Sequence, residues 1–381
     1  MNIQKNSNNI NSKENKALIE SNIINKNDLN KSTLKNKRIE YFDWLRILGS
    51  FSVVVIHISC EIWYSSTIFS TEWKISNFYD SIARFGVPIF FMISGTIFLE
   101  KDISFYIILN KYIKSIYIKL LFWSFFYSLR KKIIHKKNYK ETFFIFLNGH
   151  FHLWYLFRIC GLYLITPFLK QITKNEKLFK IFLVLHILFC LLFPNLLTIL
   201  FYISKDFYNV LNGIISKFGL NSFLHFNQMY YIFGLYLNRY SIKPLFRIII
   251  YILGICGTIF TIQMTYYFSL KKKKKIPFYF DFYFNIFFAS IGIFIFFRYN
   301  FNNLKYKKSI KKLIQKLGCL TLGIYIIHPF VIEELNIRFK INTSTYNPLY
   351  SIPINSFITF LISLILVYII KFIPFINQYI L

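Results

Sequence analysis

The stretch YFDWLRILGSFSVVVIHISCEIW, residues 41–63, decides the fold. It is apolar over the length of a bilayer crossing, since about 20 residues at 1.5 Å of rise cover a hydrocarbon core roughly 30 Å thick. A backbone in lipid must satisfy its own N–H and C=O groups, so the segment reads as a helix. Yet it contains Asp43, Arg46, His57 and Glu61. Ionisable groups at such depth cost free energy unless a partner, a cavity or a ligand receives them, and they mark a functional face. The eleven residues from Arg46 to His57 correspond to about 16 Å of rise and about 20° of net rotation on an ideal helix. The two side chains therefore share one side, and Glu61, a turn beyond His57, joins them.

Outward from this helix the chain repeats the pattern. With 55% hydrophobic and 21% aromatic residues in 381, it is more apolar than a soluble domain of its size requires and belongs in lipid. The expected spans are 41–63, 78–99, 112–129, 151–169, 178–203, 225–238, 247–269, 280–298, 313–334 and 353–378, which makes an all-α polytopic membrane bundle of about ten transmembrane helices. Pro194 predicts a kink in the fifth span, 225–238 is short for a full crossing, and 204–224 has room for a short interfacial helix. Residues 1–38 are polar and rich in Asn and Lys, so they read as a disordered basic tail with no cleaved signal peptide. Residues 39–381 then form one transmembrane domain.

The formal net charge of +30 does not point to nucleic acid, because the lysines lie between apolar spans, where membrane lipids are the nearer partner. The run Lys271 to Lys275 reads as a headgroup contact. Most basic loops are accommodated with both termini in the cytoplasm, which makes the expected location a multi-pass cell membrane protein. Five cysteines lie in apolar segments without metal or redox spacing, so no metal site is expected.

The chemistry of the first span suits a long phosphate-bearing donor. An arginine fork near the inner surface matches phosphate, and a histidine deeper on the same side matches proton transfer at the far end of a coenzyme A thioester. Glu61 would orient that ring. Depth counted from span ends puts Arg84, Arg158 and His328 near the level of His57, with His152 and Trp154 just above. His57 is thus the expected base, or a brief carrier of the acyl group, with Arg84 or Arg158 stabilising the oxyanion, and His152, Trp154, Arg158 and His328 are expected around the acceptor. Ser94 and Gly95 read as a close helix contact.

The pair Arg46-x10-His57, with Asp43 before it, resembles the first-helix motif of the acyltransferase 3 family of membrane-bound O-acyltransferases. Three further stretches resemble later signatures of that family: Arg84-Phe-Gly-Val-Pro-Ile-Phe-Phe-Met-Ile-Ser94-Gly95, His152-Leu-Trp154-Tyr-Leu with Gly161-Leu-Tyr163-Leu-Ile-Thr-Pro167, and Gly323-Ile-Tyr325-Ile-Ile-His328-Pro329. The resemblance is closest to members that O-acetylate surface polysaccharides. It implies a cytoplasmic acyl-CoA donor, acetyl-CoA in that subgroup, no permanently bound cofactor, and an acceptor hydroxyl on a glycan or lipid-linked saccharide. It also implies that Asp43 and Arg46, with Lys111 and Lys114, hold the donor. The competing reading is an exporter of polysaccharide or lipid-linked sugar, since a multispan bundle with polar residues at depth has the same outline.

Overall fold

The computed structural model describes residues 38–373 apart from 218, 220–223, 279–282, 303, 305 and 340–345. Residues 1–37 of the expected tail lie outside the described residues. Every described element is helical. The helices of ten residues or more are, in chain order, α1 (Glu40–Ser65), α2 (Thr71–Ala83), α3 (Gly86–Glu100), α4 (Lys114–His135), α5 (Tyr139–Asn148), α6 (Trp154–Lys174), α7 (Glu176–His186) and α8 (Phe193–Ile203). They continue with α9 (Lys205–Lys217), α10 (Phe226–Arg239), α11 (Pro244–Lys272), α12 (Phe284–Phe301), α13 (Lys308–Arg338) and α14 (Pro348–Ile370).

Among the described residues, eight helical spans are long and apolar enough to cross a membrane, with α2–α3, α5–α6 and α7–α8 each running on as one span, and the protein is a polytopic all-α membrane bundle. The two other expected spans are helices of a different kind. α4 carries Lys114, Lys119, Arg130, Lys131 and Lys132 along its 22 residues, and α10 has only 14, about 21 Å at 1.5 Å per residue. α10 is nevertheless almost wholly buried, so its apolar character serves the interior of the bundle. In the 178–203 span, a π-helical turn at Ile187–Leu192 precedes Pro194. The proline has no N–H to give the carbonyl one turn back, and the ladder changes register there. The expected short helix in 204–224 is α9.

α1 is the hub and packs on α2, α3, α12, α13 and α14. α11 lies at the edge: only 17% of its most apolar window is buried, against 67% for α13. Its outward Leu245, Ile248, Ile252 and Ile255 are the surface that lipid covers without cost. The tightest crossing joins α3 to α10, where Gly95 and Gly234 let each helix touch the other's backbone. A Cβ on Gly95 would stand 1.8 Å from the Tyr231 carbonyl oxygen, and one on Gly234 would stand 2.1 Å from that of Met92. Small residues drive helix association in lipid by permitting this approach. Lys275 turns inward from its basic run, and its Nζ donates to the carbonyls of Tyr64 and Ser66 at 2.9 and 2.6 Å. That lysine caps the end of α1, where carbonyls lack intrahelical donors and the helix dipole favours a cation.

Candidate active site

The site has two parts joined through one tyrosine. At the start of α1, Arg46 Nη1 donates to Asp43 Oδ1 at 2.9 Å. Asp43 is fully buried and its carboxyl lies against Gly318 of α13, where a Cβ would come within 2.7 Å of Oδ1. The absent side chain at Gly318 thus makes room for the carboxylate that aims the arginine. Arg46 then lines a cavity of about 230 Å³ shared with Ser94, Ile97, Tyr155, Tyr163, Thr321 and Tyr325. A cavity of about 150 Å³ suffices for benzene, so this one admits a narrow flexible chain. Its lining offers a cationic fork, aromatic rings and hydroxyls.

Beyond Tyr325 stands a group of four histidines. The His57 ring centroid is 5.1 Å from that of His328 and 5.2 Å from that of Phe151. The His152 ring lies 5.7 Å from that of His328, and the His150 and His152 Nδ1 atoms are 2.7 Å apart. The backbone partners assign the tautomers. His152 Nε2 lies 3.1 Å from the Ile326 carbonyl oxygen, and a carbonyl only accepts, so Nε2 carries the proton and Nδ1 the lone pair. His150 Nδ1 must then donate, which leaves His150 Nε2 as the lone pair, 4.0 Å from Glu333 Oε1. By the same logic His328 Nδ1 donates to the Ile324 carbonyl at 3.2 Å. Its buried Nε2 has no hydrogen-bond partner among the described residues.

The frame around the histidines is rigid. Tyr127 of α4 stacks on His150 at 4.3 Å and donates to the Ile326 carbonyl at 2.7 Å. Arg130 clamps α4 to α13 through Glu333 at 2.7 Å and Glu334 at 2.6 Å. Tyr325 donates its hydroxyl to the His152 carbonyl. Among the described residues no group of three or more His, Cys, Asp or Glu is arranged to hold a metal ion. The arrangement is fit for proton transfer at a half-buried imidazole linked, through His328 and Tyr325, to a cavity that an arginine lines.

The family model described as an acyltransferase domain matches residues 39–373. The chain belongs to this acyltransferase family. Comparison with curated proteins and with solved structures gives no match. The match takes in both halves of the site, so the cavity and the histidines belong to one membrane acyltransferase domain.

Within the acyltransferase, His57, His152 and His328 come together, and Arg46 lines the cavity that shares Tyr325 with them. Other expected residues are placed differently. Glu61 accepts from Asn336 Nδ2 at 2.8 Å, so α13 holds its carboxylate. Arg84 closes α2 and is bound to the buried Asp80 at 2.6 and 2.5 Å. Asp43 holds the arginine and does not line the cavity. Arg158 is exposed and is not brought to the histidines; its charge bears on His225 at the head of α10. Trp154 is 39% exposed and its nearest ring partner is Phe91, at 6.5 Å. Lys111 and Lys114 are exposed, just before the cavity residue Ile116. The sequence reading omits His150 and gives no role to Tyr325. The signal for His150 is its two-residue spacing from His152, immediately before the first turn of α6.

Proposed function

We propose that this acyltransferase moves a short acyl group, acetyl in the simplest case, from a cytoplasmic acyl-CoA to a hydroxyl of a cell-surface glycan or lipid-linked saccharide. The observation that carries the reading is a chain of contacts: Arg46 and Tyr325 line one cavity, the Tyr325 ring neighbours those of His152 and His328, and the His328 ring lies 5.1 Å from that of His57. Arg46 receives the phosphates, assisted by the exposed Lys111 and Lys114, and Asp43 fixes its fork. The pantetheine arm lies among the cavity's aromatic walls. The thioester carbonyl stops near His57.

The acceptor oxygen attacks the carbonyl carbon while His57 takes the hydroxyl proton. The tetrahedral intermediate collapses, the C–S bond breaks, and the departing sulfur recovers the proton from the imidazolium as coenzyme A thiol. His328, with an unprotonated Nε2 beside His57, stabilises the cationic ring. Arg84, whose charge bears on His57, adds electrostatic stabilisation of the oxyanion from within its pair with Asp80. Trp154, partly exposed beside the buried His152, lines the approach of the acceptor. With both termini in the cytoplasm, that approach opens on the outer face of the cell membrane.

The test offers labelled acetyl-CoA to membranes containing the full chain and follows label into envelope saccharide. His57→Ala is expected to lower transfer by about 10²–10⁴-fold with insertion unchanged. Saccharide exported with the thioester intact would replace this reading with that of a transporter.

A further inference from the structure

We infer that Tyr325 limits the length of the acyl chain the enzyme accepts, an inference that rests on the donor site proposed above. Tyr325 belongs to both parts of the site. It lines the cavity with Arg46, and its ring is 5.7 Å from that of His152 and 6.1 Å from that of His328. Its ring therefore borders both, and a donor running from one to the other passes along it. The ring is also pinned: its hydroxyl donates to the His152 carbonyl, Tyr155 packs on it at 5.7 Å, and only 6% of the residue is exposed.

A thioester carbon that reaches His57 with its arm in the cavity lies against this ring. The acyl substituent then has only the room the tyrosine leaves. The buried His152 bounds a second side, while Phe151, 5.2 Å from the His57 ring but 57% exposed, borders the open one. A methyl group asks little of these walls. Each added methylene has to displace a tethered aromatic ring or fold back on the arm. Hydrophobic pockets discriminate one methylene by roughly 10–200-fold, so the ring selects acetyl and similarly short groups over longer chains.

The experiment uses the purified full-length protein with acetyl-, butyryl- and hexanoyl-CoA, following thiol release with acceptor present. Wild type is expected to lose about tenfold or more in rate per substrate along the series. Tyr325→Ala opens space near that of a benzene ring, for which about 150 Å³ suffices, and raises the hexanoyl-to-acetyl ratio about tenfold or more. Tyr325→Leu moves the ratio the same way and serves if the alanine variant does not elute as a folded protein. Tyr325→Phe keeps the ring but loses its tether to the His152 carbonyl, so its ratio is expected to fall between those of wild type and the Ala variant. A ratio unmoved in both the Ala and Leu variants, in protein active on acetyl-CoA, overturns the role of Tyr325 and leaves the donor site standing. Equal use of all three thioesters by wild type does the same. Wild type that consumes none of them removes the donor site and this inference together.

Discussion

Substituting Gly95 by Ala tests the link between packing and the site. The new Cβ would lie 1.8 Å from the Tyr231 carbonyl oxygen, whereas ordinary contact begins at 3.4 Å, so α3 and α10 must separate by about 1.6 Å at their crossing. The obstacle is backbone inside a helix and has no rotamer to yield. Overpacking of this kind costs about 1–3 kcal/mol, and the rigidity of the obstacle puts Gly95→Ala at the upper end. The displacement also carries Ile93, Ser94 and Ile97, which line the cavity, and a misplacement of about 1 Å can cost roughly 10²-fold in rate. The assay is thermal unfolding in detergent together with transfer from acetyl-CoA. Gly161→Ala is the control, since a Cβ there meets nothing within 4 Å. Gly95→Ala is expected to melt several degrees below that control and to lose most activity. If the two variants match in both measurements, the glycine crossing is not what sets the position of the cavity wall.

Three further outcomes follow from named contacts. Arg46→Lys keeps the charge but loses the planar fork, so KM for the thioester is expected to rise about tenfold, equivalent to about 1.4 kcal/mol, with kcat less affected; donor-varied kinetics showing an unchanged KM would count against phosphate binding there. Glu61→Gln retains an acceptor for the Asn336 amide, so turnover is expected to stay within about threefold, less than the ~1 kcal/mol of a typical hydrogen bond; a hundredfold loss would put the carboxylate into the chemistry. His150→Ala removes the donor to His152 Nδ1 and leaves a buried acceptor unpaired, which costs about 1–3 kcal/mol; denaturation should show this loss, and His150→Gln, which restores an N–H, should recover part of it.

The residues of α1 show how far a sequence reaches into a site. The face shared by Arg46 and His57 follows from helical geometry alone, and the apolar frame leaves few other conformations for the segment. Their neighbours are a different matter. Counting residues from a span end gives a level in the membrane but not the direction in which a side chain faces around the bundle. Arg158 and His152 were therefore expected together, yet one is exposed and the other buried. Glu61 sits one turn from His57, but a residue 275 positions away binds its carboxylate. Hydropathy likewise treats a short buried helix such as α10 and a crossing helix alike, because the interior of the bundle is as apolar as lipid.

By itself the sequence determined the helical character of the chain, its place in lipid, its family resemblance and the ionisable face of α1. These are local or periodic properties, set by apolar length and by the requirement that each backbone group find a partner within its own helix. Only the tertiary structure decided that Gly318 makes room for Asp43, that carbonyls of α13 fix the tautomers of His152 and His328, and that Tyr325 borders both cavity and histidines. Those outcomes depend on contacts between helices far apart in the chain. Their partners are chosen by how whole helices pack, and no single segment encodes that choice.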